Sequence, residues 1–195
     1  ADTGNISIFA GCSRETFERA LPILTTLGRR VLHTGDLGTA SKLKVVTNYL
    51  ATAHLVALSE ALTACKVMGL DMNVSYEAIK ASSGNSFVHE TESQVILNGS
   101  RDINFTVDLV LKDVGLFNTL TEREGMQLDL APMLVDIFTQ AQAQWGPRES
   151  SPNIIRRYEE PMGVKVLGSG FPADMIDDEP EEVGYELMAK GRQDG

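Results

Sequence analysis

The chain has 195 residues, of which 43% are apolar and 23% charged, the profile of a globular protein of one large domain or one and a half small ones. With 27 acidic against 17 basic side chains its net charge is −10, which excludes nonspecific nucleic-acid binding through a surplus of Lys and Arg. Cys12 and Cys65 stand far apart in no CxxC or metal spacing, which argues against a disulfide framework and suits two free thiols in a reducing cytoplasm.

The opening "ADTGNISIF" has neither the basic region nor the long apolar run of a signal peptide. It begins with Ala and enters almost directly into a strand-like run, as expected of a piece of a longer polypeptide. "NISIFAG" (Asn5–Gly11) is rich in β-branched and aromatic residues and closes on glycine, so it predicts a strand. "SRETFERALPILTTLG" (Ser13–Gly28) has a Ser cap, an early Glu, apolar residues at Phe17, Leu21 and Leu24, and a terminal Gly, and predicts an amphipathic helix. "RRVLHTG" (Arg29–Gly35) predicts a second strand, giving a β-α-β opening.

From Thr39 the character changes. Residues 40–68 carry one long helical pattern whose centre, around Leu50, Ala53, Leu55, Ala57 and Leu62, is apolar on nearly all faces. Its longest charge-free run, Val45 to Ser59, is 15 residues and contains Thr, Asn, His and Ser, too short and too polar for a membrane span. A helix apolar all round needs cover from other helices, and this one predicts a homodimer or higher homo-oligomer. Helical segments follow at 74–82, 87–97, 105–124 and 130–144, punctuated by Gly84, Gly99, Gly125 and Gly146. "GPRESSPNIIRRYEE" reads as a loop entering a short helix and "GVKVLGSGFP" as a short extended piece. Between Ala173 and Glu186 there are seven acidic residues and no basic one, a stretch expected to be solvated.

Several side chains stand out chemically. Lys44 and Asn48 share one face of the long helix at i and i+4, with Leu43, Val46 and Leu50 turned toward packing. An ammonium and a carboxamide on one polar stripe suit an oxygen that gains negative charge, and a desolvated Lys can act as general acid or base. The plainer alternative is a first-turn surface lysine at the foot of a core helix. Gly35 and Gly38 ahead of it suit either an anion at a helix N-terminus or a simple left-handed turn. In "FTVDLVLKDVGLF", Asp113 has Leu109, Val110, Leu116 and Phe117 at helical spacing, so its carboxylate needs a partner. Lys112, with Asp108 at i−4, reads as one half of a surface ion pair and points about 100° away from Asp113. "SSGNS" (Ser82–Ser86) reads as a helix stop followed by a new cap. The three histidines form no metal-ligand pattern.

Together, "GNISIFAG", "GDLGTASKLKVVTN", "ASSGNS" and "FTVDLVLKDVGL" resemble, in that order, segments of the β-hydroxyacid dehydrogenase family. That family includes the 3-hydroxyisobutyrate, tartronate semialdehyde and 6-phosphogluconate dehydrogenases. The second segment resembles its glycine-rich lead into the catalytic helix, G-x-x-G-x-x-x-x-x-K-x-x-x-N. The resemblance implies a mostly α fold, a multi-helix bundle of the 6-phosphogluconate dehydrogenase C-terminal type after a β-α-β remnant of a Rossmann domain. It implies boundaries at 1–37 for the nucleotide-domain end, 38–146 for the helical substrate and dimerisation domain, and 147–195 for an extension with an acidic tail. It implies hydride transfer between NAD or NADP and a short β-hydroxy acid or its semialdehyde. Lys44 would be the catalytic acid/base, Asn48 would hold substrate with Ser83 and Gly84 bordering it, and Lys112 and Phe105 would lie at the cofactor. Asp113 would be structural. Arg101, Arg148, Arg156 and Arg157 are the basic candidates for a substrate carboxylate. The chain contains no GxGxxG phosphate cradle, which keeps open the alternative of a helical oligomerisation or binding module without catalysis.

Overall fold

A computed structural model describes residues 4–175 and 180–190. In chain order the elements are β1 (Ser7–Gly11), α1 (Arg14–Leu27), β2 (Arg30–Gly35), α2 (Thr39–Val67), α3 (Met72–Lys80), α4 (Phe87–Asn98), α5 (Val107–Arg123) and α6 (Leu130–Trp145). A 3-10 turn (Ser151–Ile155), α7 (Arg156–Met162) and β3 (Tyr185–Glu186) complete them. The protein is mostly helical with one small parallel sheet. It divides into two compact units, residues 4–46 with 180–190 and residues 47–175, and the division falls within α2.

The small unit is a β-α-β motif with an added strand. The sheet order is β1-β2-β3, and both pairings are parallel. α1 starts where the Ser13 side chain accepts the Thr16 N–H, and its apolar stripe puts Phe17 at 0% exposure with Leu21 and Leu24 partly covered. β3 lies in the acidic stretch, which the sequence pattern predicted to be solvated. Its Tyr185 N–H donates to the Arg29 carbonyl and the Leu187 N–H to the Val31 carbonyl, both at 2.8 Å. Arg14 grips Glu186 through both carboxylate oxygens, at 2.5 and 3.0 Å, and Arg29 pairs with Glu182 at 2.5 Å. Gly184 lets this segment come so close, because a Cβ there would sit 2.1 Å from the Thr25 carbonyl oxygen. Glu181 and Glu182 nevertheless stay exposed, while Glu186 is partly covered. The strand itself has no sequence signal, because two-residue pairing across a long sequence separation leaves no periodicity. Of the acidic stretch, residues 176–179 lie outside the described residues.

The helical unit is organised by α2. Its Thr52, Leu55, Val56, Ser59, Leu62 and Thr63 are buried at helical spacing. The buried hydroxyls bond back to their own helix, Ser59 to the Leu55 carbonyl and Thr63 to the Ser59 carbonyl, both at 2.8 Å. Leu43, Val46 and Leu50, expected to face packing, are instead 39%, 38% and 46% exposed. α2 is thus apolar all round but covered within this chain along one face. Among the described residues it is the one helix long and apolar enough to cross a membrane by length and composition. The core around it includes Ile96, Leu97, Val110, Leu134, Phe138 and Ile155.

The turn into α4 is the expected stop and cap. The Ser86 hydroxyl accepts the His89 N–H at 3.1 Å, and Gly99 ends the helix at φ 93°. The "GVKVLGSGFP" segment is an irregular strap without ladder pairing among the described residues. It is pinned across α3 and α4 by Gly168 N–H to the Leu97 carbonyl (2.9 Å), Asn73 to the Ser169 carbonyl (2.7 Å) and Asn98 to the Phe171 carbonyl (2.7 Å). Arg101 makes a two-pronged pair with Glu159 at 2.8 and 2.9 Å, with the two side chains 11% and 5% exposed. Glu159 also accepts the Val166 N–H.

Candidate functional site

Gly35 and Gly38 adopt φ of 109° and 94°, conformations costly for any residue with a Cβ. They turn the chain from β2 into α2. That unbroken helix carries Lys44 and, one turn on, Asn48. Within the helical unit Asn48 reaches α5: its Nδ2 donates to Asp113 Oδ2 at 2.5 Å. The other carboxylate oxygen of Asp113, Oδ1, holds the Lys112 ammonium at 3.2 Å. The Asp113 side chain is 12% exposed and that of Lys112 59%. Beside this contact Tyr49 stacks on Phe117, with ring centroids 4.0 Å apart and planes at 11°. α2 and α5 are therefore matched by one polar and one aromatic pair.

The carboxylate that needed a partner has two. Lys112 is paired with Asp113, not with Asp108, although the two lie on adjacent helix positions. A four-carbon stem easily spans that rotation. Asp108 instead accepts from the Thr106 hydroxyl and from Arg148, which hold its carboxyl below the usual range, the hydroxyl more strongly.

The remaining sequence-predicted positions are more dispersed. Ser83 and Gly84 lie in the exposed turn between α3 and α4, where the Gly84 N–H donates to the Ser82 hydroxyl at 3.1 Å. Phe105 is partly buried and packs against the core, and its carbonyl accepts the Ser151 N–H. Arg101 is locked on Glu159 in the interior. Arg156 pairs with Glu160 at 2.9 Å and lies over Trp145, and Arg157 donates to Gln140 at 2.7 Å.

Two surface clefts, of about 520 and 460 Å³, share Arg157, Tyr158 and Pro161 on α7; the second also runs along Glu60 and Val67 of α2. Of the sequence-predicted candidates Arg157 lines both, whereas Lys44, Asn48, Ser83, Gly84, Phe105 and Lys112 line neither. Burial, and secondarily Glu60, push the Tyr158 phenol up to about 12. Two further titratable groups escaped the sequence reading. Glu92 on α4 is a buried carboxyl pushed up to about 7 by desolvation, and its Oε2 has no hydrogen-bond partner among the described residues. His89, 1% exposed, donates from Nε2 to the Tyr76 carbonyl at 2.9 Å, and burial lowers its pKa. Their spacing on α4 carried no hint of burial, because the helix has polar residues on most faces.

Residues 38–158 match the family model described as the NAD-binding domain of NADP-dependent 3-hydroxyisobutyrate dehydrogenase. The chain belongs to the 3-hydroxyisobutyrate dehydrogenase family. The matched span begins at the turn into α2 and ends within α7, so it contains Lys44, Asn48, Lys112 and Asp113. Among its relatives, 2-(hydroxymethyl)glutarate dehydrogenase of Eubacterium barkeri is 31% identical over 86% of this chain and 56% of its own length. L-Threonate dehydrogenase of Haemophilus influenzae is 28% identical over 76% of this chain and 50% of its own. The solved structure of 3-hydroxyisobutyrate dehydrogenase from Salmonella typhimurium superposes with a TM-score of 0.73 at 26% identity, over 80% of this chain and 55% of that one. This chain spans about half the length of the curated relatives it matches. The family is one of oxidoreductases that use NAD(P).

Proposed function

We propose that the chain supplies the catalytic helix and helical substrate domain of an NAD(P)-dependent dehydrogenase for a short β-hydroxy acid or its semialdehyde. The observation that carries this reading is the Asn48–Asp113–Lys112 constellation on α2 and α5, with Lys44 one turn before Asn48. The helical unit is read as a bundle of the 6-phosphogluconate dehydrogenase C-terminal type, and β1-α1-β2 as the end of a Rossmann domain. In those terms 1–37, 38–146 and 147–195 are the nucleotide-domain end, the substrate domain and an extension.

When bound, the nicotinamide donates or accepts the hydride. Lys112, whose partly exposed side chain has its ammonium held by Asp113, is chemically suited to lie near it, and Phe105 is assigned to the same end. The chain has no GxGxxG sequence, so the proposal assigns the phosphate cradle to that half of such an enzyme which this chain does not match. In the reductive direction the substrate carbonyl carbon gains a hydride while Lys44 Nζ gives a proton to the carbonyl oxygen. In the oxidative direction Lys44 takes that proton from the hydroxyl. Asn48 orients the reacting oxygen, and Ser83 and Gly84 border the substrate. The exposed Leu43, Val46 and Leu50 face of α2 is read as a homodimer contact in a cytoplasmic enzyme.

The test joins this chain to a family nucleotide domain and assays short hydroxy acids with both nicotinamides. Lys44→Ala is expected to lower kcat by about a hundred- to ten-thousandfold, the range for loss of a general acid/base. Near-normal turnover would refute the assignment. No turnover from the unmutated fusion, with the fold intact, would favour a non-catalytic helical module.

A further inference from the structure

We infer that Asp113 is a positioning residue, which sets the orientation of the Asn48 amide and of the Lys112 ammonium. The inference rests on the proposed roles of Asn48 and Lys112 and adds to them the group that holds both.

An ionised carboxylate only accepts hydrogen bonds. The 2.5 Å contact from Asn48 to Asp113 Oδ2 therefore decides which way round the amide lies. The nitrogen faces α5 and the carbonyl oxygen faces away from the carboxylate. Without the carboxylate, the α5 side would no longer distinguish the amide nitrogen from its oxygen. Asp113 Oδ1 is used separately, on the Lys112 ammonium at 3.2 Å. One carboxylate thus divides its two oxygens between the α2 amide and the α5 ammonium.

Packing alone gives no reason for a carboxylate here. Asp113 lies on the buried face of α5, with Val110, Val114 and Phe117 buried one turn to either side or next to it. Its side chain is 12% exposed. Burying a charge in such surroundings costs more than burying a leucine, unless its hydrogen bonds return something the apolar residue cannot. What they return is orientation. The Tyr49–Phe117 stack, one residue beyond Asn48 and one turn beyond Asp113, independently holds the two helices in register. Asp113 is thereby relieved of the task of joining α2 to α5, and the stack provides an internal control.

Asp113 is expected to touch neither substrate nor cofactor, so its test must separate orientation from packing. The first measurement uses this chain alone and the side-chain amide NMR signals of Asn48. In Asp113→Ala these signals should shift and exchange at least about tenfold faster, as expected for loss of a charge-assisted hydrogen bond. The Tyr49 and Phe117 ring signals should stay in place. Unchanged Asn48 signals would overturn the inference whatever the enzyme does. If Asp113→Ala does not fold, Asp113→Asn keeps the shape and one acceptor. There the Asn48 signals should shift partly and Lys112 should lose its restraint; no change in either overturns the inference.

The second measurement uses the nucleotide-domain fusion. Asp113→Asn should lower kcat/KM about ten- to a hundredfold, the worth of one hydrogen bond to a charged group. The exchange Asn48→Asp with Asp113→Asn rebuilds the pair with its polarity reversed. It should recover the thermal stability that Asp113→Asn loses, and no recovery would overturn the pairing of the two side chains. Its turnover is lost in either case, because Asn48 itself is assigned to the substrate. A fusion inactive before any change is made would indict the proposed function and leave the NMR result standing on its own.

Discussion

Among the described residues of the small unit, Phe17 and Val31 are the fully buried apolar side chains. The helical unit gathers Leu62, Ile96, Leu97, Leu134, Ile154 and many more into one cluster. The difference is not one of composition, for "SIFAG" in β1 is as apolar as most of α4, yet no β1 residue is buried. A three-stranded parallel sheet with a single helix has little with which to cover its strands. Its order comes from ladder hydrogen bonds and from the acidic C-terminal segment clasped by Arg14 and Arg29. The helical unit instead excludes water from an interior, and its polar contacts sit on top of that. One unit should therefore be sensitive to cavities and buried charge, the other to salt and to its edge strand.

The largest expected effect tests the helical side of the contrast. Phe138 is 0% exposed, and Phe138→Ala should cost about 3–5 kcal/mol in urea unfolding of the helical unit. A loss below about 1 kcal/mol would mean that the interior collapses around the cavity and is not tightly packed.

Next comes Glu92. Its folded pKa, about 7, stands above the reference value of 4.5, so the folded form keeps its proton longer than the unfolded one. Stability is therefore lost as pH rises from 4.5 to 7. Glu92→Gln, which has no such proton, should gain on the wild type across that window by about 3 kcal/mol in all. Parallel stability curves for the two proteins would show that the carboxyl is hydrated after all. His89 works in the opposite sense. Burial lowers its folded pKa, so the stability it allows is present above 6.5 and is lost as pH falls below that.

The smallest effect belongs to the small unit. Glu186→Gln removes the charge that Arg14 grips, and hydrogen exchange at the Tyr185 and Leu187 amides should quicken while Phe138 and its neighbours stay protected. High salt should do the same to the unchanged protein. Exchange insensitive to both would show that backbone pairing alone holds β3, and the contrast between the units would lose its electrostatic half.

Much of this was legible in the chain itself. The Ser13 and Ser86 caps, the glycine stops and the helical spacing of the apolar residues mark α1 to α6 nearly to their ends, because each signal acts over one or two turns. The need of Asp113 for a partner was legible too, from the apolar residues around it. The identity of that partner was not, since Asn48 lies 65 residues away and no local pattern links the two. The same holds for Arg101 and Glu159, where a suspected ligand-binding arginine is an interior pair 58 residues apart. Lys112 shows a subtler limit. Its i−4 acid was the expected partner, but Thr106 and Arg148 already occupy Asp108.

The sequence by itself determined the helices, their caps, the β-α-β opening and the one-turn spacing of Lys44 and Asn48, because these depend on neighbours within a few positions. Only the tertiary structure decided which face of α2 is covered, that the acidic tail returns as β3, and that Asp113 turns the Asn48 amide. Those outcomes depend on which distant groups compete for the same hydrogen bonds and the same space, and that competition is settled only when the helices pack.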